Sequence, residues 1–224
     1  MGVRYIGAHV QRMEDPRLVT GHGRYSDDIT LEGMLHAAFL RSPMAHAKIN
    51  AIDTARATAL PGVHAVFTHS DFGAAFDKPM AQLYPAPVLT NDHTQYPLAA
   101  GEVCHVGQAI AVVVADSRAI AEDALALIDV EYEALPAIVD VRKALAEDAP
   151  KAHLGDGSNL GGQLRAKFGD IDAAFAGADH VFSAEFLQHR GGCHAMECRG
   201  APDRAPASTT TASARRRRDR KSVV

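Results

Sequence analysis

The sequence predicts an α/β domain in which short helices pack on a mixed β-sheet, and three adjacent segments carry this prediction. Residues 107–115 contain an apolar run with three successive valines, which is typical of a strand buried on both faces. Ser117 then occupies a helix N-cap position, and apolar residues follow at helical spacing at Ala121, Ala124, Leu125 and Ile128. Residues 128–133 alternate apolar and acidic side chains, as a strand with one solvent-facing side does. Strand, helix and strand in about 28 residues indicate a minimal crossover unit, around which the rest of the chain is expected to fold.

The residues before this unit predict a second strand–helix–strand segment on the same sheet. Strands are predicted at 34–40, 46–52 and 63–68. The first of them places Leu35, Ala37 and Phe39 on one face. Asp53 or Thr54 can cap a helix over 54–60, because both residue types accept hydrogen bonds from the first helical amides.

The remaining segments are predicted to be mostly irregular. Residues 1–33 and the proline-containing stretch 71–100 indicate loops. After the central unit we predict a short helix at 140–147, a glycine-rich linker at 150–164, a helix at 170–176 and a strand at 180–189. A domain boundary is expected near residue 150.

Composition and charge exclude several classes of protein. No segment approaches the roughly 18 apolar residues that a membrane span needs, and no apolar run near residue 1 indicates a secretory signal. We therefore expect a cytoplasmic protein whose three cysteines are reduced thiols. The net charge of −4 conceals an asymmetry, because residues 201–224 carry seven basic and two acidic groups whereas residues 1–200 carry 16 basic and 25 acidic groups.

No catalytic, cofactor-binding or metal-binding residue is predicted from spacing alone. The possible metal ligands considered were Cys193, His194 and Cys198, together with the pairs His189/His194 and His36/His46. The possible acid–base pairs were Glu122/Asp123 and Glu131/Glu133, and the possible nucleophiles were Ser42, Ser117 and Ser158. None has the spacing of a metal site, an acid–base dyad or a nucleophile elbow, so structural thiols and solvated side chains are the better interpretation.

A series of short phrases resembles the molybdopterin-binding large subunits of the xanthine dehydrogenase, aldehyde oxidase and carbon monoxide dehydrogenase family. The phrases, in order, are Gly21–Tyr25 with Asp27-Asp28, Met34-Leu35-His36, Arg41-Ser42-Pro43, His46-Ala47, Pro61-Gly62-Val63, Val106-Gly107-Gln108, Tyr132–Pro136, Gly169–Phe175 and Met196–Gly200. Their number, order and spacing make the combination specific over residues 3–200. Cys198 stands where the family usually has proline.

The resemblance implies an α/β-hammerhead domain with a mixed sheet, followed by the start of a molybdenum-binding domain. The implied division is an N-terminal extension at 1–18, the hammerhead domain at 19–140, a linker and the beginning of the molybdopterin-binding domain at 141–200, and a basic, disordered tail at 201–224. The resemblance also implies molybdopterin as the cofactor, iron–sulfur and flavin subunits or domains as partners, and an aldehyde, an N-heterocycle or carbon monoxide as the substrate.

The family's Gly-Gly-Phe-Gly loop, pterin contacts and late general-base glutamate have no counterpart in this sequence. We therefore expect a truncated subunit that binds no cofactor and is inactive alone, with a tail produced by a change of reading frame or by a wrongly assigned gene end. The alternative is a non-catalytic binding module whose basic run, residues 215–221, contacts a polyanion. Nucleic acid is disfavoured as a partner, because the run lacks aromatic residues that could stack on bases.

Overall fold

The computed structural model describes residues 7, 10–75, 78–80, 88–91, 93–188 and 191–192. Of these, the residues up to Glu32 and from Phe186 onward form one compact unit, and Gly33–Glu185 form another. The first unit contains helix α1 (Asp15–Val19) and a 3-10 helix (Ser26–Asp28). No helix in the described part of the chain is long and apolar enough to cross a membrane.

In its described residues, the second unit contains six strands, three α-helices and a 3-10 segment. In chain order they are β1 (His36–Arg41), β2 (Ala47–Asp53), α2 (Ala55–Thr58), β3 (Val63–Thr68), the 3-10 segment (His69–Ala75), β4 (Glu102–Val103), β5 (Ala109–Ala115), α3 (Arg118–Leu125), β6 (Asp129–Ala134) and α4 (Ile171–Ala176). The predicted strands at 34–40, 46–52, 63–68 and 107–115 are confirmed with shifts of at most two residues at their ends.

The strands form two antiparallel three-stranded sheets rather than one mixed sheet. Sheet A has the order β1-β5-β3, and sheet B has the order β4-β2-β6. The prediction that each strand–helix–strand segment lies on one sheet is therefore wrong. β2–α2–β3 passes from sheet B to sheet A, and β5–α3–β6 passes from sheet A back to sheet B. Both hydrogen-bonding edges of β5 are already occupied by β1 and β3, so β6 has no place beside it.

β5 lies at the centre of the core, as its apolar run predicts. Ala111, Val113 and Ala115 have no exposed surface and pack with Ala121 and Ala124 of α3. Because these side chains are small, α3 packs closely against β5. A second cluster lies beside it and contains Ala47, Ala99, Val103 and Ile110.

The predicted N-cap of α3 makes its side-chain hydrogen bond, whereas only one of the two residues proposed to cap α2 does so. The Ser117 hydroxyl accepts a hydrogen bond from the Ile120 amide at 3.3 Å, which confirms it as the N-cap of α3. α2 is shorter than predicted, and Thr54 makes no side-chain cap bond. The Asp53 carboxylate accepts from the Ala55 amide instead, at 2.9 Å.

The face of β1 that packs on the core is not the face that carries Leu35 and Phe39. Ala38 and Leu40 pack against the α3 cluster. Leu35 and Phe39 share the other face, as predicted, and each remains 45% exposed. The guanidinium of Arg41 lies 5.9 Å from the centre of the Phe39 ring and covers part of it.

Beyond residue 136 the predictions were less accurate. Residues 140–147 form successive turns with bonds such as Lys143 N to Asp140 O, not an α-helix. α4 confirms the helix predicted at 170–176, and the Asp170 carboxylate caps it by accepting from the Ala173 amide. The strand predicted at 180–189 is absent from the described residues 180–188, whose backbone pairs with no strand there. An alternating pattern predicts a strand only where a partner edge is available.

Candidate functional site

The pairing of β2 with β4 brings together three side chains that are far apart in sequence. Ala47 pairs with Val103 and Lys48 with Glu102, which places His46 opposite Cys104 at the end of the ladder. Because alternate residues of a strand share a face, His46, Glu102 and Cys104 all lie on one side. One ligand atom from each of the three lies within 4.8 Å of the others.

The imidazole of His46 is held in one tautomer. The side chain is only 6% exposed, and its Nδ1 lies 3.0 Å from the carbonyl oxygen of Pro136. A carbonyl oxygen can only accept, so Nδ1 carries the proton and donates it. When the ring is neutral, Nε2 therefore carries the lone pair; this atom lies 3.8 Å from Glu102 Oε2 and is buried without a hydrogen-bond partner in the described structure.

A fourth side chain, His153, reaches the same place from the glycine-rich linker. Its Nδ1 lies 3.3 Å from Cys104 Sγ and 3.4 Å from Glu102 Oε1. The linker is folded around Asn159, whose amide group donates to the carbonyls of Ala144 and Pro150 and accepts from the Ala152 amide, each at 2.8 Å. The position of His153 is thus set by backbone hydrogen bonds and not by its own contacts alone.

Two further contacts orient the cluster. The His93 ring stacks on His153 with 4.2 Å between centroids, and His93 Nε2 is 2.7 Å from the Asp156 carboxylate. The Leu154 amide donates to Glu102 Oε2 at 2.9 Å. His46, His153 and Asp156 also line a cleft of about 240 Å³, so solvent and small ions can reach the cluster.

The Cys104 thiol is not a nucleophile in this state. Burial raises its pKa to about 12, and the nearby Glu102 carboxylate adds to the effect because it disfavours a second negative charge. The thiol is therefore protonated at neutral pH, whereas catalytic cysteines need a stabilised thiolate. His46, Glu102 and Cys104 thus offer an imidazole nitrogen, a carboxylate and a sulfur around one point, and a second imidazole nitrogen, from His153, lies beside two of them.

Of the possible site residues named from the sequence, His46 belongs to this cluster, and the others that the structure describes lie elsewhere or make local contacts. Glu122 and Glu133 are exposed and pair with Arg118 at 2.8 Å and Lys48 at 3.1 Å. His36 lies in sheet A, away from the sheet that His46 precedes. The hydroxyls form local contacts, Ser42 with Met44, Ser117 with Ile120 and Ser158 with Leu160. His189, Cys193, His194, Cys198 and the basic run at 215–221 lie outside the described residues.

The cluster itself was not predicted from the sequence. His46 and Cys104 are 58 positions apart, so no local ligand spacing marks them. The one signal available was that His46 and Cys104 stand at the ends of two strands, and it gains meaning only once the β2–β4 register is known.

Comparison with known protein families gives a match that covers the strands of both sheets. The family described as aldehyde oxidase and xanthine dehydrogenase, a/b hammerhead domain, matches residues 20–136. The nicotine 6-hydroxylase large subunit of Paenarthrobacter nicotinovorans is 41% identical over 202 residues, which is 87% of this chain and 24% of the relative. The carbon monoxide dehydrogenase large chain of Afipia carboxidovorans is 40% identical over 83% of this chain and 24% of the relative.

Solved structures agree with this match. Quinoline 2-oxidoreductase from Pseudomonas putida 86 superimposes with a TM-score of 0.62 and 43% identity over 78% of this chain and 22% of that one. Aldehyde oxidoreductase from Desulfovibrio gigas gives a TM-score of 0.65 and 34% identity over 75% of this chain and 19% of that one. The chain spans about a quarter of the length of the curated relatives it matches.

Proposed function

Because the chain belongs to the aldehyde oxidase and xanthine dehydrogenase family through its a/b hammerhead domain, we propose that it is part of the large subunit of a molybdopterin-dependent hydroxylase. The substrate class is an aldehyde, an N-heterocycle or carbon monoxide. The observation that carries the proposal is the family match over residues 20–136, which includes all six strands of both sheets. The relatives named as large subunits, at 40–41% identity, support it further.

Within that proposal, residues 19–140 are the hammerhead domain and residues 141–200 begin the molybdopterin-binding domain. Residues 1–18 are an N-terminal extension, and 201–224 are a basic tail. The proposal includes a cytoplasmic location and assembly with iron–sulfur and flavin subunits or domains. One relative is named as a subunit of a complex, the 6-hydroxypseudooxynicotine dehydrogenase complex subunit gamma of Paenarthrobacter nicotinovorans. This name supports assembly with other subunits.

The described residues do not themselves fit the pterin cofactor. Two clefts among them measure about 250 and 240 Å³, below the range of roughly 300–1,000 Å³ usual for sites that enclose a ligand of this size. Neither cleft is lined by an arginine, and such a side chain is the usual bidentate partner of a phosphate. We therefore assign the described residues a scaffolding role and expect the 224-residue chain alone to bind no molybdenum cofactor.

A segment exchange tests the scaffolding role. Residues 20–136 would replace the matching segment in the nicotine 6-hydroxylase large subunit, expressed with its partner subunits in a host that makes the cofactor. We expect the chimera to retain molybdenum and measurable dye-linked oxidation of nicotine. The same chimera with Val113→Asp, which disrupts the core of sheet A, is expected to lose both. A folded chimera without molybdenum would contradict the proposal.

The 224-residue chain itself provides a second test. Expressed alone in the same host and purified, it is expected to contain far less than one molybdenum per chain and to oxidise no aldehyde, purine or carbon monoxide above background. Stoichiometric molybdenum, or turnover, would contradict the assignment of a scaffolding role.

A further inference from the structure

We propose that His46, Glu102, Cys104 and His153 form a binding site for Zn²⁺. This site is separate from the molybdenum chemistry proposed above and does not depend on it. The four side chains come from the start of β2, from β4 and its end, and from the linker folded around Asn159.

The distances between the ligand atoms fit a tetrahedral ion. Zn²⁺ binds nitrogen and oxygen at about 2.0–2.2 Å and sulfur at about 2.3 Å, so neighbouring ligand atoms of a tetrahedral site lie roughly 3.3–3.8 Å apart. The observed separations are 3.3 Å from His153 Nδ1 to Cys104 Sγ, 3.4 Å from His153 Nδ1 to Glu102 Oε1, and 3.8 Å from His46 Nε2 to Glu102 Oε2. The ligand atoms of His46, Glu102 and Cys104 all lie within 4.8 Å of one another, and His153 would complete the shell by rotating toward them from its place beside Glu102 and Cys104.

His46 supplies the independent sign of a ligand. Its Nδ1–H donates to the Pro136 carbonyl, an arrangement that metal-bound histidines commonly use to fix their tautomer. Its Nε2 is buried without a hydrogen-bond partner in the described structure, and such an unsatisfied buried polar atom costs free energy. A metal ion in the centre of the cluster would accept this lone pair and remove that cost.

The charge and chemistry of the donors favour zinc over harder cations. Glu102 and the Cys104 thiolate would together neutralise the two positive charges of the ion. A mixed set of imidazole, thiolate and carboxylate suits Zn²⁺, whereas Mg²⁺ and Ca²⁺ prefer oxygen ligands alone. Binding displaces the thiol proton of Cys104, so one proton leaves as the sulfur–zinc bond forms.

The surrounding contacts hold the ligands in place. The Leu154 amide donates to Glu102 Oε2, and His93 stacks on His153 while its Nε2 contacts Asp156. These contacts resemble the outer hydrogen bonds that orient ligands in known metal sites.

The test uses the full 224-residue chain with Cys193→Ser and Cys198→Ser, so that Cys104 is the only thiol. Zn²⁺ affinity is measured by competition with a chromophoric chelator, and Co²⁺ is used as a spectroscopic substitute. We expect one ion per chain, intense tetrahedral Co²⁺ bands and a thiolate-to-cobalt charge-transfer band. Zn²⁺ should raise the melting temperature and, in calorimetry in two buffers, release about one proton more from this chain than from its Cys104→Ser variant.

Two ligand variants and one control separate a metal site from a hydrogen-bonded network. Cys104→Ser and His153→Ala should each weaken Zn²⁺ binding by about 100-fold or more, at or beyond the effect of losing a supporting contact. His153 is one-third exposed, so its variant should fold even if Cys104→Ser does not. The control His64→Gln removes a histidine that lies 2.6 Å from Asp116 on the surface, and it should leave the affinity unchanged.

Equal Zn²⁺ affinity in the parent chain and a folded ligand variant would overturn the proposal. So would weak octahedral Co²⁺ bands without thiolate charge transfer, because they would place the ion on surface carboxylates.

Discussion

Val113 is the largest fully buried side chain of the cluster formed by β5 and α3. It lies in the middle strand with no exposed surface and packs against α3. Val113→Asp places a charge there with no partner, and we expect a loss of about 3–5 kcal/mol in the free energy of unfolding. Urea unfolding followed by circular dichroism measures it. Val139→Asp, at a position 75% exposed, is the matched control and should change stability by less than about 0.5 kcal/mol. Equal effects of the two substitutions would contradict the assigned core.

Cys104 predicts a specific dependence of stability on pH in metal-free solution. Its folded pKa is raised to about 12, mainly by burial, whereas an unfolded thiol titrates near 8.5. The folded chain therefore keeps a proton that the unfolded chain has lost. The contribution of this thiol to stability is fully present below pH ~8.5 and is lost as the pH rises toward about 12.

Cys104→Ser removes this titration, so its stability should fall less steeply than that of the parent between pH 8.5 and 10.5. Urea unfolding in the presence of a chelator at several pH values measures both slopes. Tyrosine and lysine titrations are common to both chains and cancel in the difference. Parallel curves would show that the folded thiol titrates at its ordinary pKa.

For single residues, the sequence predicted that Val113 is buried. It did not predict that His46 and Cys104 lie together. Val113 could be predicted because a run of valines is a local property of the chain. His46 and Cys104 could not, because their proximity depends on a register between strands separated by more than 50 residues.

The N-cap positions of α2 and α3 differ in their side-chain hydrogen bonds. Ser117→Ala removes the hydroxyl that accepts from the Ile120 amide, and we expect a loss of about 1 kcal/mol in stability. Thr54→Ala is the matched control at α2, because Thr54 makes no side-chain cap bond. Thermal and urea unfolding of both variants measure the difference. A loss at Thr54 as large as that at Ser117 would contradict the assigned caps.

The elements that could be predicted are those that carry their own signals. α3 and α4 each begin with a capping Ser or Asp, and β5 is an apolar run with turn residues on both sides. Residues 140–147 have a suitable composition but form turns, because Asn159 holds the carbonyls of Ala144 and Pro150 and bends the chain there. Residues 180–188 alternate in polarity but have no sheet edge to join within the described structure.

At the scale of the whole second unit, local sequence patterns could not predict which strands pair with each other. An apolar pattern identifies a strand but not its neighbour, so two segments that look like crossover units connect separate sheets. The helix–strand composition and the family were accessible, because they depend on short phrases in a fixed order.

The two sheets should unfold together. Ile52 of β2 and Val130 of β6 each pack against both hydrophobic clusters. We therefore expect the amides of β5 in sheet A and β2 in sheet B to exchange with similar, near-global opening free energies. Native-state hydrogen exchange at increasing urea concentrations measures them. Exchange of β2 through a separate, lower-energy opening would show that the sheets are independent.

The position of β5 also affects the newly made chain. β1 ends at Arg41 and β3 at Thr68, whereas their shared partner begins only at Ala109. At about 5–20 residues per second, ribosomal synthesis leaves β1 without its partner for roughly 3–14 s. During that interval two apolar strand edges are open to neighbouring nascent chains, and a holding chaperone at the ribosome exit would protect them until β5 emerges.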